Sequence, residues 1–422
     1  MTSPDTGQTI RGSQGEQREP LLLLCHRIPY PPNKGDKIRA WHLLKFLAAR
    51  YDVYLGTFVD DEQDWMHVPT VRQVCAQLEV VPLNPLLGRV RSLKGLLSGE
   101  ALSIPYYGSR RLEQWVGRIC RQHQIRKYVV FSSVMGQFLP PVDSADDVLV
   151  DFVDVDSDKW RQYAATVSGP MSWVYRREAR TLLAYEVALA NLASRSLFVS
   201  ESEARFFAGV DGVPEDRVGH YSNGVDADYF DPDAFAHTPR ERELVFTGAM
   251  DYWPNIDAVV WFAQQVFPVL RNTYPDLRFT IVGGKPDERV LQLQQQAGIE
   301  VTGRVPDVRP YLARAWAAVA PMRVARGVQN KVLEGMAMAR PVITSAMGLE
   351  GIDASPNEDV IVAETSDDYL DALQSLERSD TATSIGSRAR NLVLRRYAWE
   401  STLNPLGELL DGPECAAEVN CV

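Results

Sequence analysis

Ala325-Arg326-Gly327-Val328-Gln329-Asn330-Lys331-Val332-Leu333-Glu334-Gly335-Met336-Ala337, followed after three residues by Pro341-Val342-Ile343-Thr344, decides how this chain folds. The first stretch reads as a loop turning into a helix, the second as a strand. Gly327 lets the backbone approach a ligand. Gln329 or Asn330 opens the helix, whose free N–H groups and dipole favour an anion. Asn330 and Glu334, at i and i+4, share one face, while Val328, Val332 and Met336 form an apolar stripe on another. A phosphate seat with a carboxylate about one and a half turns deeper suits a nucleotide, because a carboxylate can accept both hydroxyls of a ribose diol. An ordinary amphipathic helix with a solvated Glu334 fits the helix alone equally well.

Short apolar runs alternate with helical segments on either side of this stretch. Leu21–His26 has the length of a buried strand, and Pro29–Gly35 is a turn. A helix is expected at about Asp36–Arg50, then strands at Asp52–Phe58, Val129–Phe131, Val148–Val153 and Ser196–Val199. A second series follows: strand Leu244–Gly248, helix Asp257–Leu270, and strands at Phe279–Gly284, Val301–Gly303, Ala317–Ala320, Pro341–Thr344 and Val360–Val362. The alternation predicts α/β architecture with two Rossmann-like, doubly wound parallel sheets. The expected division is a disordered N-terminus at 1–20, a first domain at 21–230, a polar linker at 231–243 and a second domain at 244–390. A C-terminal helix at 391–411 and a tail at 412–422 complete it.

The chain has 422 residues, enough for two domains. It is 45% hydrophobic and 23% charged, a soluble globular composition. No run approaches the roughly 18–20 apolar residues that span a bilayer, and the polar start is unlike a signal peptide. Cys25, Cys75, Cys120, Cys415 and Cys421 lack metal-ligand spacing and suggest reduced thiols, so the cytoplasm is expected. The net charge of −11 argues against nucleic acid as a partner. Between Gly88 and Lys127, however, Arg89, Arg91, Lys94, Arg110, Arg111, Arg118, Arg121, Arg126 and Lys127 face only Glu100 and Glu113. Leu93, Leu96, Leu97, Ile104, Tyr106 and Tyr107 are interleaved with them, which suits peripheral contact with an anionic membrane or a lipid-linked phosphate.

Leu333-Glu334-Gly335-Met336-Ala337 and Arg340-Pro341-Val342 resemble the donor-binding motif of retaining family 4 glycosyltransferases with the GT-B fold. The resemblance extends through Val199–Glu203, Tyr221–Asp226 and Tyr229–Pro232 to Phe246-Thr247-Gly248, Ile281–Gly284 and Tyr397–Glu400. It implies two domains facing a cleft, with the last helix crossing back to the first domain. Pro31–Arg39, Asp151–Trp160 and Ala325–Lys331 are similar to a narrower branch, the bacterial sugar transferases of exopolysaccharide and exosortase (PEP-CTERM) systems. The resemblance implies that Glu334 takes the ribose hydroxyls of a nucleotide sugar. Arg326 stands where the family's first Glu normally faces the sugar, and an arginine suits the diphosphate better.

Glycosyl transfer needs a nucleotide seat, compensation for charge on the departing diphosphate, and a positioned acceptor hydroxyl. The cationic candidates are Arg326, Lys331 and Arg304, with the amides around Gly327. Ala249–Asn255, where relatives often carry an Arg and a Lys, has no cation. Donor contacts are thus expected from Gly248, Arg304, Gly327, Val328, Gln329, Asn330 and Glu334, and catalytic roles at Arg326, Lys331 and Asp154. Asp154-Val155-Asp156 matches the Asp-x-Asp metal motif of another glycosyltransferase fold only superficially. Asp151, Asp154 and Asp156 are read instead as ending a strand and capping a helix, with Asp154 or Asp156 also able to hold sugar or acceptor. Gly35, Asp36, Lys37 and Arg39 are the remaining acceptor-side candidates, alongside a solvated-turn reading. The six histidines form no ligand pair. Val282-Gly283-Gly284 lacks the third glycine of a dinucleotide fingerprint, so an NAD-dependent oxidoreductase fits poorly.

The expectation is a retaining, metal-independent transferase with a nucleotide-diphosphate sugar as co-substrate, no cofactor, and a glycan or lipid-linked acceptor. It is placed in the cytoplasm, peripherally at the inner face of the membrane. An epimerase or phosphorylase on the same fold, which needs no acceptor, is the first rival. A non-catalytic sugar-nucleotide-binding member is the second.

Overall fold

Leu21, Leu22, Leu23, Leu24 and Cys25 are wholly buried, as expected for a parallel strand covered on both faces. The computed structural model describes residues 18–32, 34–325 and 327–411. The first sheet contains β1 (Pro20–Cys25), β2 (Asp52–Val59), β3 (Gln77–Pro82), β4 (Lys127–Phe131), β5 (Asp147–Val153), β6 (Arg195–Phe198) and β7 (Val218–His220). Its order is β3-β2-β1-β4-β5-β6-β7. β1 lies parallel to both β2 and β4, with Leu23 opposite Leu55 and Val129.

The second sheet contains β8 (Glu243–Thr247), β9 (Arg278–Val282), β10 (Ile299–Gly303), β11 (Ala317–Ala320), β12 (Val342–Thr344) and β13 (Ile361–Val362), in the order β10-β9-β8-β11-β12-β13. Each sheet therefore reverses direction beside its first strand, between β1 and β4 and between β8 and β11. In doubly wound sheets the crevice for ligands opens at that reversal, outside the carboxyl ends of the strands. Residue contacts divide the chain into Met1–Val150 and Asp151–Val422. Around the second sheet, the Phe262 ring packs 4.8 Å from Phe279 and 5.1 Å from Tyr369. Each such buried ring contributes about 1.5–3 kcal/mol.

Several expected elements differ in extent. The helix read at Asp257–Leu270 is Trp253–Trp261, a π-turn at Phe262–Val266, and Phe267–Thr273. Pro268 cannot donate a backbone hydrogen bond, and the wider turn absorbs the interruption. The helix expected at 391–411 is the end of Ser379–Arg396 followed by a separate helix, Trp399–Asp411. The break is used for a tertiary contact: Val225 N donates to the Tyr397 carbonyl at 2.7 Å, and Ala398 bridges Val225. β1 begins at Pro20, and Arg18 Nη1 donates to the Ala48 carbonyl at 2.8 Å. Disorder expected to residue 20 is thus corrected at 18–20, while 1–17 and the tail 412–422 lie outside the described residues. The edge strands β3 and β7 were not anticipated.

Candidate functional site

Thr247 closes β8, and the helix Asn330–Ala337 follows β11 across the sheet reversal. Val332, Leu333, Met336 and Ala337 are fully buried. Gly335 is squeezed between β11 and β12, where a Cβ would come within 2.9 Å of the Ala318 and Val342 side chains. The helix is therefore buried over more of its circumference than the expected stripe of Val328, Val332 and Met336. Asn330, Lys331 and Glu334, all half-buried, occupy the remaining arc.

Glu334 is not a solvated surface residue. Thr247 Oγ1 donates to its Oε2 at 3.1 Å, and its other oxygen accepts no hydrogen bond among the described residues. Burial pushes the carboxyl pKa up, opposed by the Thr247 hydroxyl and by Lys331. Lys331 Nζ donates to Gln329 Oε1 at 3.1 Å and lies 5.4 Å from the centre of the Phe246 ring. Burial pushes its pKa down to about 8, against the pull of Glu334. A half-buried acid and base with shifted pKa values and few partners make this spot a candidate functional site.

The loop before the helix is built for close approach. Gly327 has φ +62°, the left-handed region that only glycine enters at little cost, and no atom lies within 4 Å of where its Cβ would be. Gln329 is the extended N-cap residue and makes no side-chain cap hydrogen bond; its Nε2 donates to the Gly327 carbonyl at 3.0 Å. Val328 is half-buried, and Asn330 Oδ1 is buried with no partner among the described residues. Gly248 follows β8, where its N donates to the Val282 carbonyl at 3.0 Å. Arg304 follows β10, exposed and without a hydrogen bond or ion pair among the described residues. Thus Thr247, Glu334, Lys331 and Gln329 come together. Arg326 lies outside the described residues.

The other candidates are arranged differently. Gly35 and Asp36 begin the helix Gly35–Ala48. Asp36 Oδ2 accepts from Arg27 Nη1 at 2.7 Å and lies 3.6 Å from His26 Nε2, while Arg27 also holds Asp60. Burial alone would raise the Asp36 carboxyl, but His26 and Arg27 hold it far below the usual carboxylate range. Lys37 and Arg39, expected near a phosphate or acceptor, are buried instead, at 3% and 1% exposure. Lys37 Nζ is committed to Asp64 Oδ2 at 2.6 Å. Asp154 and Asp156 both hold Lys159 Nζ, at 2.7 and 3.1 Å.

The capping expected of these aspartates is done by distant glutamates. Val155 N donates to Glu203, and Ser157 donates with both N and Oγ to Glu186. Asp151 accepts from the Tyr221 hydroxyl and from Val153 N. Among the described residues, no three His, Cys, Asp or Glu side chains gather as a metal site. Sequence reasoning missed Thr247 and His26. Thr247 stood in a quoted strand end, with nothing to mark it as the partner of Glu334 87 positions away. His26 directly follows β1 at the reversal of the first sheet, its ring stacked 5.9 Å from Phe131. Its position after the strand was the available signal.

Residues 241–379, which span the second sheet, match the family model described as Glycosyl transferases group 1. No curated protein matches significantly. Among solved structures, HepE from Anabaena in complex with UDP is 14% identical with a TM-score of 0.62, covering 93% of this chain and 99% of its own. Sucrose-phosphate synthase from Thermosynechococcus elongatus is 18% identical with a TM-score of 0.63, covering 93% and 98%. WaaG, a glycosyltransferase involved in lipopolysaccharide biosynthesis, is 15% identical with a TM-score of 0.57, covering 93% and 100%. These likenesses establish the GT-B fold: two Rossmann-like units with parallel sheets of seven and six strands.

Proposed function

We propose that this protein is a retaining glycosyltransferase that moves a sugar from a nucleotide-diphosphate donor to a glycan or lipid-linked acceptor. The observation that carries this reading is Glu334, held by Thr247 at the sheet reversal, whose second oxygen has no hydrogen-bond partner among the described residues. The ribose diol of the donor supplies hydrogen bonds to that half-buried carboxylate. The diphosphate sits at the amides of Gly327 and the start of Asn330–Ala337, where the helix dipole favours it. That HepE, which shares the fold at 14% identity, has been described in complex with UDP supports a nucleotide as the ligand class.

In the step proposed, the bond from the anomeric carbon to the β-phosphate oxygen breaks, and its electron pair leaves with the diphosphate. Lys331 and Arg326 compensate the charge that develops there, without a metal ion. The acceptor oxygen bonds to the same face of the anomeric carbon, and its proton passes to a leaving-group oxygen. Asp36, with Gly35, and Asp156 are the acceptor-side residues, and Asp154 and Asp156 both hold Lys159. The motif resemblance points to bacterial exopolysaccharide biosynthesis as the setting.

The test is transfer from a panel of nucleotide sugars in EDTA, with the anomeric configuration of the product read by NMR. Acceptor-dependent, chelator-resistant turnover with retention is expected. Donor turnover without an acceptor points to an epimerase or phosphorylase. Donor binding without turnover across the panel points to a non-catalytic protein. Rescue of a chelated enzyme by Mn²⁺ makes Asp154 and Asp156 metal ligands.

A further inference from the structure

The helix Pro85–Ser98 packs with Gly88 and Gly95 inward and Leu86, Leu87, Leu93 and Leu96 outward. A Cβ on Gly88 would come within 2.7 Å of the Tyr106 ring, and one on Gly95 within 3.2 Å of the Glu100 carbonyl oxygen. Half-buried Arg91 fastens the same inner side by donating to the Gly108 carbonyl. On the outer side, Leu86 is 70% exposed, Val90 62% and Leu93 59%. At 3.6 residues per turn these three fall within an arc of about 60°. Leu87 and Lys94 flank one edge of the stripe, Arg89 and Leu96 the other, and all four are exposed. The helix contains no acidic residue. Exposed apolar residues scattered singly are ordinary, whereas a stripe of them along one helix marks a contact surface.

We propose that this helix docks on an anionic phospholipid surface. Leu86, Val90 and Leu93 enter the boundary between headgroups and acyl chains, and Arg89 and Lys94 meet lipid phosphates along both edges of the stripe. The charge pattern selects lipid over a protein partner. Protein interface cores are depleted in lysine, whereas interfacial helices carry Lys and Arg beside the apolar face. An open groove of about 560 Å³ beside the helix, lined in part by Lys94, Pro105, Gly108, Arg110 and Glu113, continues the cationic surface. The structure narrows the docking face expected for all of Gly88–Lys127. Ile104, Tyr106 and Tyr107 are half-buried, Tyr107 packs edge-on against Phe58, and Arg111 is engaged by Glu79.

The full chain is tested by co-sedimentation with phosphatidylglycerol-containing vesicles and with pure phosphatidylcholine vesicles. Binding is expected only to the anionic vesicles, and about tenfold weaker at about 0.5 M salt, where the screening length falls to a few ångströms. The combined variant Leu86→Ser, Val90→Ser, Leu93→Ser should weaken it at least tenfold with unchanged melting temperature, since these side chains are exposed. Arg89→Gln with Lys94→Gln should remove most of the salt dependence. Negligible binding to both vesicle types overturns the proposal, as does wild-type binding by the triple serine variant. Loss of a dimer in that variant, with no vesicle binding by either protein, would assign the face to a second copy. Vesicle binding requires no nucleotide sugar, so its failure leaves the transferase reading intact, and the reverse holds too.

Discussion

The chain uses one strand order twice, yet its two sheet reversals follow opposite electrostatic plans. Beside β1, charges satisfy one another: Arg27 spans Asp36 and Asp60, and His26 adds to Asp36. At the next residue, Lys37 is buried as a closed pair with Asp64. Beside β8, Glu334 has one hydroxyl and Lys331 one amide oxygen, and burial pushes their pKa values in the directions that disfavour charge. A cluster of paired charges costs little to leave as it is, although His26 Nδ1 is buried without a partner among the described residues, whereas an under-partnered one gains free energy from a ligand that completes it. The difference separates charges paired with one another inside the unit from charges that keep capacity for a further partner.

The largest effect tests the paired side. Lys37→Met should cost about 3–5 kcal/mol of stability, because it leaves Asp64 charged, buried and unpaired. Urea unfolding measures this, and a loss under about 1 kcal/mol would mean that water reaches Asp64. Glu334→Gln should not destabilise at neutral pH. Its folded pKa lies above the unfolded one, so ionised Glu334 is a burden that grows as pH rises above the unfolded value. Equal losses in both variants would erase the contrast.

On the ligand-seeking side, Arg326→Ala should lower kcat by about 10²–10³, and more than it raises KM, as for loss of a transition-state charge partner. An Arg326→Glu variant with wild-type turnover would contradict that role. Glu334→Gln should weaken nucleotide binding by about 1.5–3 kcal/mol, roughly ten- to a hundredfold, measured by calorimetric titration. Unchanged affinity would move the ribose site elsewhere.

Lys331 gives a pH signature. Its charged form is lost as pH rises through about 8, so donor affinity should fall above that pH. Lys331→Arg, which stays charged, should flatten the profile. A bound diphosphate raises the lysine pKa in turn, so binding should take up protons above pH 8. The smallest effect belongs to Thr247→Val, which removes one hydrogen bond to a carboxylate that keeps its ribose partners. A few-fold loss of donor affinity is expected, on the order of 1 kcal/mol.

The sequence by itself determined the alternation of strands and helices, because period and apolar runs are local properties. Leu21–Leu24 and Phe246-Thr247-Gly248 declared buried strands ending at a turn, and Gly327 declared a loop that comes close to something. Glu334 was legible as a candidate through its spacing from that loop. Only the tertiary structure decided which polar residues were free. Lys37 and Arg39 look like a solvated cation pair beside Gly35, until Asp64 arrives 27 positions later to bury one of them. Asp154 and Asp156 read as helix caps, until Glu203 and Glu186, brought in from later helices, take Val155 N and Ser157 instead. Burial depends on what packs against a face, and the partner is chosen by sheet order rather than by neighbours in the chain. For the same reason Leu86, Val90 and Leu93 could be counted from the sequence, but only the packing of Gly88 against Tyr106 turned them outward.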